Sequence, residues 1–220
     1  MGQRQTLIDA IQTLKKDVIQ MADLALSNVK AGLNAFKEND LEAARRIMGL
    51  DDEVDRLEEQ IAKDALKIIW REQPLASDLR LVTGILKLIT DLERIGDHAS
   101  DIAEMTLHLS DRTNKRMLPL TTRMIEVIER MVLSSVEALV KVDGEAAKKV
   151  ISMDDEVDDL FDQVVLKMTN LLKNDKIDPN DAIHILMVAK YIERIGDHAV
   201  NIAEWIIFIG TGRHKRTDLF

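Results

Sequence analysis

The sequence predicts an all-α protein: two tandem three-helix bundles, six long antiparallel helices in all, related by internal duplication. Three observations carry this prediction. Apolar residues make up 46% of the 220 residues and aromatics only 3%, so the core must be aliphatic, and with 31% charged residues the composition favours helices over sheets. Apolar positions recur at spacings of three and four throughout the chain. Two distinctive segments each occur twice, in the same order and at nearly the same offset.

The duplication rests on particular residues. Asp91-Leu-Glu93-Arg94-Ile95-Gly96-Asp97-His98-Ala99 returns as Tyr191-Ile-Glu193-Arg194-Ile195-Gly196-Asp197-His198-Ala199, at an offset of 100. Asp51-Asp52-Glu53-Val54-Asp55 returns as Asp154-Asp155-Glu156-Val157-Asp158, at an offset of 103. The difference of three residues is expected in a loop between the two motifs.

Helix-breaking residues divide the chain. They fall at Asn39-Asp40, Gln73-Pro74, Asn114 to Pro119, Asp143-Gly144 and Asp178-Pro179. The predicted helices are 4–38, 41–72, 75–110, 117–142, 145–173 and 179–211. Short turns between long helices require antiparallel neighbours. The polar stretch 110–116 is the candidate linker, giving repeats 1–113 and 114–220. Val82, Ile85, Leu88, Leu92, Ile95, Ala99 and Ile102 form one apolar stripe, and Ile185, Val188, Ile192, Ile195, Ala199 and Ile202 its copy. Gly96 and Gly196 lie inside helices, where Gly costs up to about 1 kcal/mol relative to Ala. Close approach of a neighbouring helix is the simplest reason, and a backbone opened to a ligand is the other.

Several function classes are excluded or disfavoured. The chain has no cysteine, so it can hold no disulfide and no thiolate metal site. Its net charge of −9 makes it a poor binder of nucleic-acid backbones. No signal peptide or membrane-spanning run is evident, so a cytoplasmic location is expected, with membranes reached only through partners. The basic run Arg213-His214-Lys215-Arg216 reads as a solvated tail.

The carboxylate spacing is the informative chemistry. Glu93, Asp97 and Asp101 are four apart and share one helix face. Glu193, Asp197 and Asn201 repeat the pattern with one amide. Asp51, Asp55 and Glu59 form another ladder, and Asp154, Asp158 and Asp162 its copy. Like charges at this spacing repel by a few tenths of a kcal/mol per pair. Four such ladders are explained either by a compensating cation or by solvated acidic faces. An oxygen-only ligand set suits magnesium, calcium, manganese or iron. On the helical wheel the Glu93 ladder centres about 150°, and the Asp51 ladder about 120°, from the apolar stripe of its helix. Both are expected on outer or flanking surface, where adjacent ladders could converge across a rim. His98 and His198 could support a helix contact, bond a carboxylate or serve as ligands. Arg94 and Arg194 are expected to pair with acidic groups on a neighbouring helix, anion binding being the alternative. His108, His184 and His214 have no counterparts in the other repeat and receive no role.

The tandem segments 91–99 and 191–199, together with Gln73-Pro74-Leu75-Ala76-Ser77-Asp78-Leu79-Arg80, resemble the signature of the PhoU family across the whole chain. The resemblance implies two pseudo-symmetric three-helix bundles, often dimeric. It implies an adaptor that contacts the ATPase subunit of a phosphate ABC transporter and a phosphate-sensing histidine kinase, restraining uptake and starvation signalling when phosphate is plentiful. It also implies divalent or trivalent metal ions, iron clusters among them, held by pairs of Glu or Asp spaced four apart. Magnesium, manganese, calcium or zinc are further candidates. On this chain the motif falls on Asp51, Asp55, Glu93, Asp97, Asp101, Asp154, Asp158, Glu193 and Asp197. Asn201 stands where Asp101 has a carboxylate, so a weaker second site is expected. No catalytic residue is expected: nothing resembles a P-loop or nucleophile elbow. The alternatives are a metal store or carboxylate-metal enzyme of helical-bundle type, and a passive scaffold. The enzyme alternative would place Glu-x-x-His pairs inward, and no Glu-x-x-His occurs here.

Overall fold

Helix ends fall where the breaking residues require them. In the computed structural model, which describes residues 3–49, 51–109, 118–214 and 217–218, the first repeat comprises α1 (Gln3–Glu38), α2 (Leu41–Ile47), α3 (Asp51–Glu72) and α4 (Ala76–Thr106). The second comprises α5 (Leu118–Lys141), α6 (Gly144–Lys173) and α7 (Pro179–Thr211). The side chain of Asp51 and the predicted repeat boundary at 113/114 lie outside the described residues. Asp40 and Asp143 cap equivalent helices, each side chain accepting backbone N–H bonds of 2.9–3.1 Å from residues two and three ahead. Asp178 caps α7, with Pro179 in its first turn.

Four predictions change. The helix predicted over 41–72 is two helices. Met48 ends α2, and Gly49 N–H bonds back only three residues, to Arg46 O at 3.2 Å. The equivalent residue in the second repeat is Ser152, which stays helical with its hydroxyl on Lys149 O. Gly is the weaker helix former, so the break appears in only one copy. The three-residue difference between repeats is not a loop insertion. The loop before α7 (174–178) is longer than that before α4 (73–75), and α4 starts seventeen residues before Glu93 where α7 starts fourteen before Glu193. Three residues are nearly one helical turn, so α4 lengthens at its start with little rotation of the motif face. The predicted 75–110 helix stops at Thr106, where Leu107, His108 and Leu109 make three-residue turns. Finally, the chain after α7 is not simply a solvated tail. Gly212, at φ 79, closes the helix, and Arg213–His214 pair antiparallel with Thr217–Asp218 as β1 and β2. His214 stacks on Trp205 at 3.8 Å between ring centres. Lys215 and Arg216 lie outside the described residues.

Each repeat is a three-helix bundle, and the two share one core. α4 and α7 pack on each other more extensively than any other pair of elements. Arg80 meets Ile209, Asp91 meets His198 and His108 meets His184, so the pair is antiparallel. Ile85, Leu88, Leu92, Ile95 and Ile102 of α4, and Val188, Ile192, Ile195, Ile202 and Ile206 of α7, are all buried. The buried arc of α4 is wider than its predicted stripe because α4 touches α1, α3 and α7. No helix among the described residues is long and apolar enough to cross a membrane.

Small residues set the closest helix approaches. A Cβ on Gly96 would lie 3.1 Å from Val54 Cγ1, and one on Gly196 would lie 3.1 Å from Asp154 Oδ1. The mid-helix glycines are therefore explained by close packing. A Cβ on Gly32 would come within 2.8 Å of Ala99 O, the backbone of α4. Gly32→Ala is expected to push α1 from α4 and cost about 1–3 kcal/mol, read as a lower urea midpoint. Gly144→Ala, where nothing lies within 4 Å, should leave the midpoint unchanged or raise it by up to about 1 kcal/mol.

Candidate metal centre

The acidic ladders meet across helix pairs within each repeat. In the first, ligand atoms of Asp55 from α3 and of Glu93 and Asp97 from α4 all lie within 4.8 Å of one another. In the second, Asp154 and Asp158 of α6 repel Glu193 of α7, and Asp154 also Asp197. Of the motif positions expected to converge across a rim, Asp55, Glu93 and Asp97 are brought together in the first repeat, and Asp154, Asp158, Glu193 and Asp197 are neighbours in the second. The helical wheel overstates their exposure: Glu93 is only 22% exposed and Glu193 13%. A wheel measures angle from the stripe of one helix, and the neighbouring helix covers the flank.

The electrostatics of the two clusters are alike. Burial first, and then neighbouring carboxylates, push the carboxyls of Asp55, Glu93 and Asp158 above their usual range. Asp154 is pushed furthest, to about 6, by burial and then by Asp158 and Asp197. Its Oδ1 is buried without a hydrogen bond, in the space left by the missing Cβ of Gly196. Glu93 Oε2 is also buried without a hydrogen bond, with only the Arg94 Nε at 3.4 Å. Such oxygens are suited to a hard cation, which accepts several carboxylate donors at once. Different organic cations lie beside the two clusters. Arg94 pairs with Asp97 at 2.8 Å, on its own helix rather than on a neighbour. In the second repeat Lys190 bonds Glu193 at 2.6 Å, and its counterpart in the first repeat is Thr90.

The ladders do not stay whole. Asp101 turns from its cluster and bonds His98 Nδ1 at 2.8 Å. Asn201 donates to Asp91 Oδ1 at 3.1 Å, across the α4–α7 interface. His198 Nδ1 lies 2.9 Å from the same Asp91 oxygen. The asymmetry expected from Asn201 is thus between helix contacts at this interface. Glu59 lies beside Asp55, and Asp162 beside Asp158, as part of the repulsive field only. Two features escaped the sequence reading. Asp91 has no acidic counterpart, because the other repeat carries Tyr191, whose ring packs on His98 at 5.6 Å. His108 and His184, which are not repeat equivalents, stack at 5.2 Å. Only the antiparallel α4–α7 register could have found them.

A family model described as the PhoU domain matches residues 18–106 and 121–206. The chain belongs to the PhoU family. Among PhoU relatives, a phosphate-specific transport system accessory protein homolog of Clostridium acetobutylicum is 31% identical over 210 residues, covering 95% of each chain. One of Aquifex aeolicus is 34% identical over 188 residues, covering 86% of this chain and 85% of the relative. The crystal structure of PhoU from Pseudomonas aeruginosa matches with a TM-score of 0.83 at 28% identity, covering 93% of this chain and 99% of that one. The phosphate transport system regulatory protein PhoU from Streptococcus pneumoniae shares the fold, with a TM-score of 0.87 at 23% identity over 96% of this chain and 100% of that one. Family and fold are therefore those implied by the tandem signature segments.

The raised Asp154 carboxyl has a sign that can be tested. Its proton is held more tightly in the folded chain than in the unfolded one. Stability contributed at acid pH is therefore lost as pH climbs from about 4 through about 6. In chelator, Asp154→Asn should melt about 2 °C above the parent protein at pH 7.5 and level with it near pH 4, followed by circular dichroism.

Proposed function

We propose that this protein is a cytoplasmic adaptor that restrains phosphate uptake and phosphate-starvation signalling. It does so by contacting the ATPase subunit of a phosphate ABC transporter and a phosphate-sensing histidine kinase. The observation that carries this reading is family membership along nearly the whole chain, with relatives described as accessory proteins of phosphate-specific transport. Action by contact, not catalysis, agrees with a rigid pair of bundles whose polar groups serve packing and the acidic clusters. A homodimer is the expected assembly.

Metal ions on the two clusters form part of this proposal. Asp51, Asp55, Glu93 and Asp97 would hold one set, and Asp154, Asp158, Glu193 and Asp197 the other. A divalent or trivalent ion, iron included, would supply positive charge to carboxylates that repel one another and are held partly out of water. It would draw α3 to α4 and α6 to α7. Asp101 and Asn201, bonded elsewhere, would take no part unless their helix contacts were broken. A metal store would use the same residues, and partner binding is the property that separates the two readings.

The test is capture of both partners by the purified chain, with and without chelator. Specific retention of the ATPase or the kinase is expected, and Asp55→Asn/Glu93→Gln/Asp97→Asn should weaken it if the first cluster shapes that contact. Retention of neither partner under any metal condition would sink the adaptor reading.

A further inference from the structure

A second donor set lies between the repeats, outside the acidic clusters. His98 of α4 and His198 of α7 line an open cleft of about 750 Å³, together with Arg94, Asp97, Arg194 and Asp197. Their ring centres are 5.7 Å apart, with the planes tilted by 38°. Each ring is tied through Nδ1 to a carboxylate, His98 to Asp101 at 2.8 Å and His198 to Asp91 at 2.9 Å. A carboxylate only accepts, so Nδ1–H donates, and the lone pair of each neutral ring is on Nε2. His98 is 7% exposed, and its Nε2 is buried without a hydrogen-bond partner. A buried acceptor left in this state is destabilising until something binds it. His198 is 22% exposed, and among the described residues it hydrogen-bonds through Nδ1 alone.

The separation of the ring centres is compatible with a shared ion. A metal–nitrogen bond of about 2.0–2.1 Å sets each ring centre roughly 3.2 Å from the metal. Two imidazoles on one ion, at tetrahedral to trigonal angles, then have ring centres about 5–6 Å apart. The observed separation falls in that interval with both helices left in place. An imidazole whose far nitrogen donates to a carboxylate is also the usual arrangement around a metal-ligating histidine, because it fixes the tautomer and makes the ligand more basic. The cleft offers water for the remaining coordination positions. Its three carboxylates, Asp97, Asp101 and Asp197, outnumber its two guanidiniums, Arg94 and Arg194.

We propose that His98 and His198 bind one nitrogen-preferring divalent ion of the zinc, cobalt or nickel kind through their Nε2 atoms. One ligand comes from each repeat, so the ion clips α4 to α7. Hard ions such as magnesium prefer oxygen and stay with the acidic clusters. The site does not depend on the phosphate-transport reading.

The test is a zinc titration of the full-length, metal-free, ¹⁵N-labelled chain, with imidazole nitrogens followed by NMR and binding by calorimetry. The Nε2 signals of both His98 and His198 should move together and saturate at one zinc per chain, with magnesium leaving them in place. His198→Asn should weaken this binding at least tenfold. Asp91→Asn should weaken it about 10–100-fold by freeing the ring of His198. Asp55→Asn/Glu93→Gln/Asp97→Asn should retain it. Nε2 signals that stay in place at saturating zinc would overturn the proposal, as would zinc binding that survives His198→Asn but is lost with the acidic-cluster variant. The NMR arm uses the parent sequence, so its outcome stands even if a variant unfolds.

Discussion

The antiparallel packing of α4 on α7 is the contact on which the rest of the molecule depends. It joins two bundles that each bury only part of their third helix, and it makes the repeats one core. Two aliphatic stripes, Ile85 to Ile102 and Ile185 to Ile202, meet at the same height because the helices are copies run in opposite directions. The same register places His98 beside His198 and brings Asp91 to both His198 and Asn201. Asp91 is bound across the repeats by His198 and Asn201, whereas His98 bonds Asp101 of its own helix and keeps Nε2 buried without a partner.

The acidic clusters sit on the other faces of α4 and α7, against α3 and α6. Gly96 and Gly196 let α3 and α6 approach so closely that Val54 and Val157 lie against the glycine backbone. The carboxylates flanking those valines are then brought onto Glu93 and Glu193. The arrangement is unfavourable by itself, as the raised carboxyl of Asp154 records. The chain holds these like charges together at its rim because its stability comes from the aliphatic core. Arg94 and Lys190 offset part of the charge, one in each repeat and from different sequence positions. The two clusters are thus related by duplication but differ in the cation that a metal would have to displace.

Much of this was legible in the chain. The duplication, the helix-breaking pairs and the aliphatic stripes followed from periodicity and residue type, which act within a few turns of one helix. The ladders of Glu93 and Asp55 could be seen, and so could their chance of meeting. Their depth could not, because exposure depends on the helix lying alongside. The break at Gly49 was missed because one weak helix former decides it, and its partner position holds Ser152.

By itself, then, the sequence determined the helices, their duplication and the carboxylates spaced four apart, since these depend on local spacing and chemistry. The tertiary structure alone decided which of those residues stay together. Asp101 and Asn201, alike in spacing to their clusters, are drawn off by His98 and Asp91. Asp91 and Tyr191, equivalent in the repeat, each meet the histidine of the other repeat, but Asp91 accepts a hydrogen bond from His198 while Tyr191 packs its ring on His98. Contacts across the α4–α7 interface join positions about a hundred residues apart, and no local pattern encodes such a pairing.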